Sequence, residues 1–166
     1  MKEDIIDLIL DDHQTLKALI NILKDVNADA GKRFVAFEEF APLLHVHAKP
    51  EEQSLYAYMK EEDSLRTMAL EGDAEHAIAE LLVHEIFETE DKDIWSAKVK
   101  VLAELVDHHI KEEEEEFIPE FEKNSDEGLR RQLGKQFLHL KTVVGHGLPL
   151  RRQLGEEIYW EQGLHS

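Results

Sequence analysis

His47-Ala-Lys-Pro-Glu51-Glu52-Gln-Ser-Leu55-Tyr-Ala-Tyr-Met59 and His109-Ile-Lys-Glu-Glu113-Glu114-Glu-Glu-Phe117-Ile-Pro-Glu-Phe121 are two versions of one pattern. His, Lys, Glu and Glu coincide, and apolar residues coincide at the last two numbered positions of each stretch. Upstream, Asp12-His13 is matched by Glu75-His76. His13 precedes His47 by 34 residues, and His76 precedes His109 by 33. The chain therefore reads as two helical hairpins, each with one His on its first helix and His-x-x-x-Glu on its second.

Apolar residues around this repeat follow helical spacing. Segment A, about Asp4 to Val26, carries Ile5, Ile9, His13, Leu16, Ile20 and Leu23 on one face. Segment B, about Arg33 to Lys60, carries Phe37, Phe40, Leu44, His47, Glu51 and Leu55. Segment C, about Ser64 to Glu88, carries Leu65, Met68, Ala69, His76, Glu80 and Leu81, with Asp63 as its expected N-cap. Segment D, about Ile94 to Glu122, carries Leu102, Val106, His109, Glu113 and Phe117. Segment E, about Asp126 to Val144, carries Leu129, Leu133, Phe137 and Leu140. At about 1.5 Å per residue the long segments span roughly 35 Å, the scale of a four-helix bundle. The expectation is an all-α, up-down-up-down four-helix bundle with an additional C-terminal helix, over residues 1–145, followed by a tail over 146–166. Pro42 and Pro50 both fall inside segment B. Each removes an N–H at a cost of about 3 kcal/mol in an ideal helix, so segment B is expected to kink twice, or to begin near Pro42 and kink once.

Residues i and i+4 lie one above the other on a helix. His47 with Glu51, and His109 with Glu113, therefore share stripes that are otherwise apolar. A buried, unpaired carboxylate is expensive. Two of them facing four imidazoles are best explained by a metal that neutralises them. Imidazole nitrogen with carboxylate oxygen and no sulfur suits iron, manganese or zinc. Glu113 is chosen by phase from the acidic run Glu112 to Glu116, with Glu114 as the alternative. His45, His84 and His108 read as surface residues, His84 with a second option of supporting a ligand. His139 reads as a packing or supporting residue, His146 and His165 as tail residues, and Tyr56 and Tyr58 as core packing that could lie near the metals.

Composition narrows the function classes. Of 166 residues, 19 are Lys or Arg and 37 are Asp or Glu, giving a net charge of −18. That field repels phosphate backbones and anionic headgroups, so neither nucleic acid nor a membrane is an expected partner. The absence of Cys excludes disulfides, thiolate nucleophiles and iron–sulfur clusters. The acidic start has no signal-peptide pattern and no window has the apolar length of a span, so the expected location is cytoplasmic. His84-Glu85-Ile-Phe-Glu88 ends in Glu, not His, and so lacks the zinc-protease signature. No phosphate loop or nucleophile elbow is present.

Asp12-His13, His47-x-x-x-Glu51, Glu75-His76 and His109-x-x-x-Glu113, in that order and at bundle spacing, resemble the hemerythrin-like family of HHE cation-binding domains. The resemblance runs from residue 1 to about 140. It implies a non-haem di-iron centre bridged by two carboxylates and an oxo or hydroxo group, able to bind dioxygen. By that likeness His13 and His47 would hold one iron, His76, His109 and a further ligand from segment C the other, and Glu51 and Glu113 would bridge them. The oxygen-carrying members have His-x-x-x-His on the third helix, where this chain has His76 and Glu80. They place the fourth helix's carboxylate at i+5, where this chain has Glu113 at i+4 with Glu114 next to it.

If Glu80 binds, the site gains a third carboxylate, which favours ferric iron and weakens reversible oxygen binding. If it does not, a coordination position is left for water, a substrate or a gas. The matching position on segment A is Lys17, which cannot ligate while charged. The expected ligands are His13, His47, Glu51, His76, Glu80, His109 and Glu113, around two Fe ions, with Zn or Mn as alternatives. The expected function is binding or sensing of dioxygen, nitric oxide, peroxide, iron or redox state. The alternatives are a di-iron oxidoreductase of the peroxidase or nitric-oxide reductase kind and a metal-free interaction bundle. Expected partners are a small diatomic ligand or peroxide, with a second copy or another protein engaged through segment E and the tail bearing Trp160 and Leu164.

Overall fold

The computed structural model describes residues 3–147. Seven α-helices and one π turn form five rods, with no strand among the described residues. Helix α1 spans Ile5–Lys24, α2 Ala30–Gln53, α3 Leu55–Met59, α4 Arg66–Phe87, α5 Lys92–Glu112, α6 Ile118–Lys123 and α7 Glu127–Gly147. The π turn, Glu113–Phe117, joins α5 to α6 as one rod. The rods α1, α2–α3, α4 and α5–α6 make the up-down-up-down bundle, and α7 packs across α1 and α2. Among the described residues, no helix is long and apolar enough to cross a membrane.

Aspartates start most of these helices by accepting from orphan N–H groups. Asp4 accepts from the Ile6 N–H at 3.0 Å, Asp29 from Lys32 at 3.0 Å, and Asp91 from Asp93 and Ile94 at 2.9 Å. Helix α4 departs from expectation. Its N-cap is Leu65 with no side-chain cap, not Asp63, and the chain enters it through a turn in which the Glu62 carbonyl accepts from Leu65 and Arg66.

Helix α2 also differs from expectation. It begins at Ala30, ahead of both prolines, and contains Pro42 and Pro50 without ending at either. The break comes at Ser54, whose backbone leaves the helical region (φ −119°, ψ −81°). Its hydroxyl donates to the Pro50 carbonyl at 2.6 Å, so the disturbed turn keeps a hydrogen bond. The equivalent place on the fourth rod is the π turn. Both second helices of the repeat therefore lose their regular register just after the glutamate of His-x-x-x-Glu. Bulges of this kind re-aim side chains and concentrate at functional sites.

Two apolar clusters fill the bundle. One holds Leu16, Ile20, Leu23, Phe37, Phe40, Leu44, Val83, Ile86, Leu102 and Val106. The other holds Ile5, Ile9, Leu55, Tyr56, Met59, Leu65, Phe117, Ile118, Phe121 and Phe137. On the four bundle rods the buried histidines His13, His47, His76 and His109 fall where one cluster gives way to the other. Helix α7 closes the second cluster with Leu133 and Phe137. It crosses the chain at Gly134, where a Cβ would overlap the Glu3 carbonyl, so only glycine allows this approach. The helix reaches Gly147, slightly past the expected boundary at 145. His165, Trp160, Leu164 and the rest of the expected tail from 148 onward lie outside the described residues.

Candidate metal centre

Four rods each deliver one imidazole to the layer between the apolar clusters: His13 from α1, His47 from α2, His76 from α4 and His109 from α5. Glu51 and Glu113 enter the same layer one turn beyond His47 and His109. All six side chains are buried, the least so being His76 at 5%.

Each imidazole is held from behind through Nδ1 by a partly exposed carboxylate. Asp12 Oδ2 lies 3.1 Å from His47, Glu52 Oε1 3.1 Å from His76 and Glu114 Oε1 3.0 Å from His13. Glu75 does the same for His109. An ionised carboxylate only accepts, so each Nδ1 carries the donated proton. That fixes the tautomer and leaves Nε2 facing inward with its lone pair, the orientation that metal-binding histidines take. The pattern obeys the internal repeat. Asp12 and Glu75, each just before the first-helix histidine, hold the second-helix histidine of their own hairpin. Glu52 and Glu114, each just after the buried glutamate, hold the first-helix histidine of the other hairpin.

The inward atoms form two trios. Donor atoms of His13, His47 and Glu113 lie within 4.8 Å of one another, as do those of Glu51, His76 and His109. The carboxylates span both. Glu113 Oε2 is 3.2 Å from His13 Nε2 and 3.5 Å from His109 Nε2. Glu51 Oε2 is 3.5 Å from His47 Nε2 and 3.7 Å from His76 Nε2. His13 Nε2, His47 Nε2, both Glu51 oxygens and Glu113 Oε2 are buried with no hydrogen-bond partner. Groups left unsatisfied in this way are costly, and five of them within the two trios fit the donor set of a metal site.

Without a cation the two carboxylates cannot both be charged cheaply. Burial, then the Glu113 and Asp12 charges, push the Glu51 carboxyl well above the usual range, so it keeps its proton. Burial would also raise Glu113, but His109 and His13 outweigh it and hold the group ionised. Burial pushes His47 down to about 4, against the opposing pull of Asp12. His109 is raised, because Glu113 and Glu75 overcome its burial. His76 Nε2 and His109 Nε2 stand 2.9 Å apart.

The family model described as hemerythrin HHE cation binding domain matches residues 4–121. The chain belongs to that family. Comparison with curated proteins and with solved structures gave no match. The matched span takes in every residue of the two trios, and these His and Glu clusters could hold metal cations.

Six of the seven expected ligands of this HHE domain come together; Glu80 does not. Its side chain is 41% exposed and pairs with Lys49 at 2.9 Å. The repeat explains why. Lys17, in the matching position on α1, neutralises Glu114 at 2.6 Å. On α4 that position is acidic, and Lys49 stands between Glu80 and Glu52 instead. Glu114, the alternative to Glu113, faces the outer nitrogen of His13.

His45 is half-buried, whereas His84, His108, His139 and His146 are exposed. No role of His139 in packing or ligand support follows. His108 forms a partly exposed group with Glu75 and Glu112. Tyr58 packs on Phe121. Tyr56 is more than core packing: its hydroxyl donates to Glu113 Oε1 and its ring stacks on His76 at 5.4 Å. The outer carboxylates and Tyr56 were not assigned these roles from sequence. The repeated Asp12/Glu75 and Glu52/Glu114 positions carried the signal for the first four. The counterpart of Tyr56 in the repeat is the apolar Ile118, so the repeat carried no signal for it.

Proposed function

We propose that this HHE domain binds two iron ions bridged by Glu51 and Glu113, with His13 and His47 on one ion and His76 and His109 on the other. The observation that carries this reading is that each buried carboxylate reaches one imidazole of each trio. A bridged iron pair supplies a centre that binds dioxygen, nitric oxide or peroxide and changes oxidation state. The chain's part is to orient the Nε2 lone pairs, to exclude water and to fix the position of both carboxylates. A groove between α2 and α4 is lined by Leu44, Ala48, Ala79 and Val83, and also by His76 and the charged Lys49, Glu52 and Glu80. The role is binding or sensing of dioxygen, nitric oxide or peroxide, or of iron and redox state, in the cytoplasm. The orphaned inward donors disfavour a metal-free interaction bundle.

Iron per chain and the near-ultraviolet bands of an oxo bridge, measured after iron-replete expression, test the reading. About two iron per chain with those bands supports it. Fewer than one iron per chain without them refutes it.

A further inference from the structure

The internal repeat breaks at one place in the metal layer. Four residues before His13 on α1 stands Ile9, and the matching residue before His76 on α4 is Gly72. Nine residues after His109 stands Ile118, and the matching residue after His47 is Tyr56. Ile9 and Ile118 are both buried apolar residues of one cluster. On the other hairpin the pair is exchanged for a glycine and a tyrosine that meet. A Cβ on Gly72 would lie 2.5 Å from the Tyr56 ring and hydroxyl, so the phenol occupies the space that a side chain from α4 would fill.

Helix α4 otherwise brings only His76 to the centre, since Glu80 is paired with Lys49. Tyr56 is fully buried, and its oxygen touches Glu113, one of the two carboxylates that reach both trios. We propose that Tyr56 supplies a phenolate oxygen to the metal pair, as the donor that α4 lacks on either side of His76. This inference rests on the metal-binding reading above. Ligation forms one oxygen–metal bond and breaks the phenol O–H bond; the proton passes to solvent and no oxidation state changes. Phenolate is a hard, anionic donor and so favours the ferric state of iron.

The test is resonance Raman and visible absorption of the protein loaded with iron in air, compared with Tyr56→Phe and Tyr58→Phe. The expected result is a phenolate-to-ferric charge-transfer band with tyrosinate ring modes in the wild type and in Tyr58→Phe. Tyr56→Phe should lose both while still taking up iron, and its reduction potential should move upward. Ring-deuterated tyrosine in the wild type should shift the modes, a measurement that needs no variant to fold. Iron uptake without tyrosinate modes, or modes that survive Tyr56→Phe, overturns this inference alone. Failure of the wild type to take up iron overturns the metal-binding reading and this inference with it.

Discussion

Glu52 Oε1 lies 3.1 Å from His76 Nδ1, on the side of the ring opposite the metal layer. Its neighbour in sequence, Glu51, faces the inward nitrogen of the same ring. Two adjacent glutamates thus grip one imidazole from its two edges. The outer one is tied to Lys49 and stays ionised, while burial pushes the inner one toward neutrality.

Glu52→Gln is therefore expected to weaken metal binding without touching a ligand. Loss of such an orienting carboxylate lowers metal affinity by about 10- to 100-fold. Titration with ferrous iron against a competing chelator measures this. Helicity by circular dichroism should be unchanged.

Glu51 and Glu113 are expected to respond oppositely to amide substitution in the metal-free protein. Glu51 is raised, so it resists ionisation in the fold while the unfolded chain ionises near its usual value. Stability from this group is present at low pH and is lost as pH rises above that value. Glu51→Gln should thus stabilise the metal-free protein at pH 7 by about 1–3 kcal/mol. Glu113 is lowered, so its contribution is present at neutral pH and lost on acidification. Glu113→Gln should cost about 2–3 kcal/mol at pH 7, since it discards charge-assisted partners in His13 and His109. Urea denaturation of both variants checks the signs, and both should lose metal uptake.

The positions of the six convergent residues were legible in sequence, because helical phase alone sets which side chain points inward on an otherwise apolar stripe. His47, Glu51, His109 and Glu113 are such cases. Glu80 was misplaced for a reason phase cannot express. It lies one turn from His76, but whether it turns inward depends on Lys49, a residue on another rod. The path of α2 was likewise set by packing, which carries the helix through Pro42 and Pro50 and moves the break to Ser54. Tyr56 was read as core packing that could lie near the metals; its contacts were not legible because Gly72 and Glu113 are both distant from it in sequence.

The metal-free protein should lose stability on mild acidification. His47 titrates near 4 in the fold and near 6.5 in the unfolded chain. Below pH 6.5 the unfolded chain gains a proton that the fold refuses, so stability falls as pH drops from 6.5 to 4. At about 1.4 kcal/mol per pKa unit the loss is about 3 kcal/mol. Denaturation of wild type and His47→Gln at pH 7 and 4.5 isolates this contribution, and the variant should be the less pH-sensitive of the two.

Gly72→Ala sets helix propensity against packing. In an exposed helix the change would stabilise by about 1 kcal/mol. Here the new Cβ meets the Tyr56 ring at 2.5 Å. Overpacking of this kind costs about 1–3 kcal/mol, so the net effect should be a lower melting temperature. A higher melting temperature would show that the ring is free to move aside.

Anomalous X-ray diffraction from crystals of the iron-loaded protein, collected at the iron edge, tests the bridged pair most directly. Two peaks are expected about 3.5–4 Å apart, one against His13 and His47 and one against His76 and His109, with Glu51 and Glu113 between them. No peak in that layer, or a single peak at the surface group Glu75, His108 and Glu112, would contradict the account.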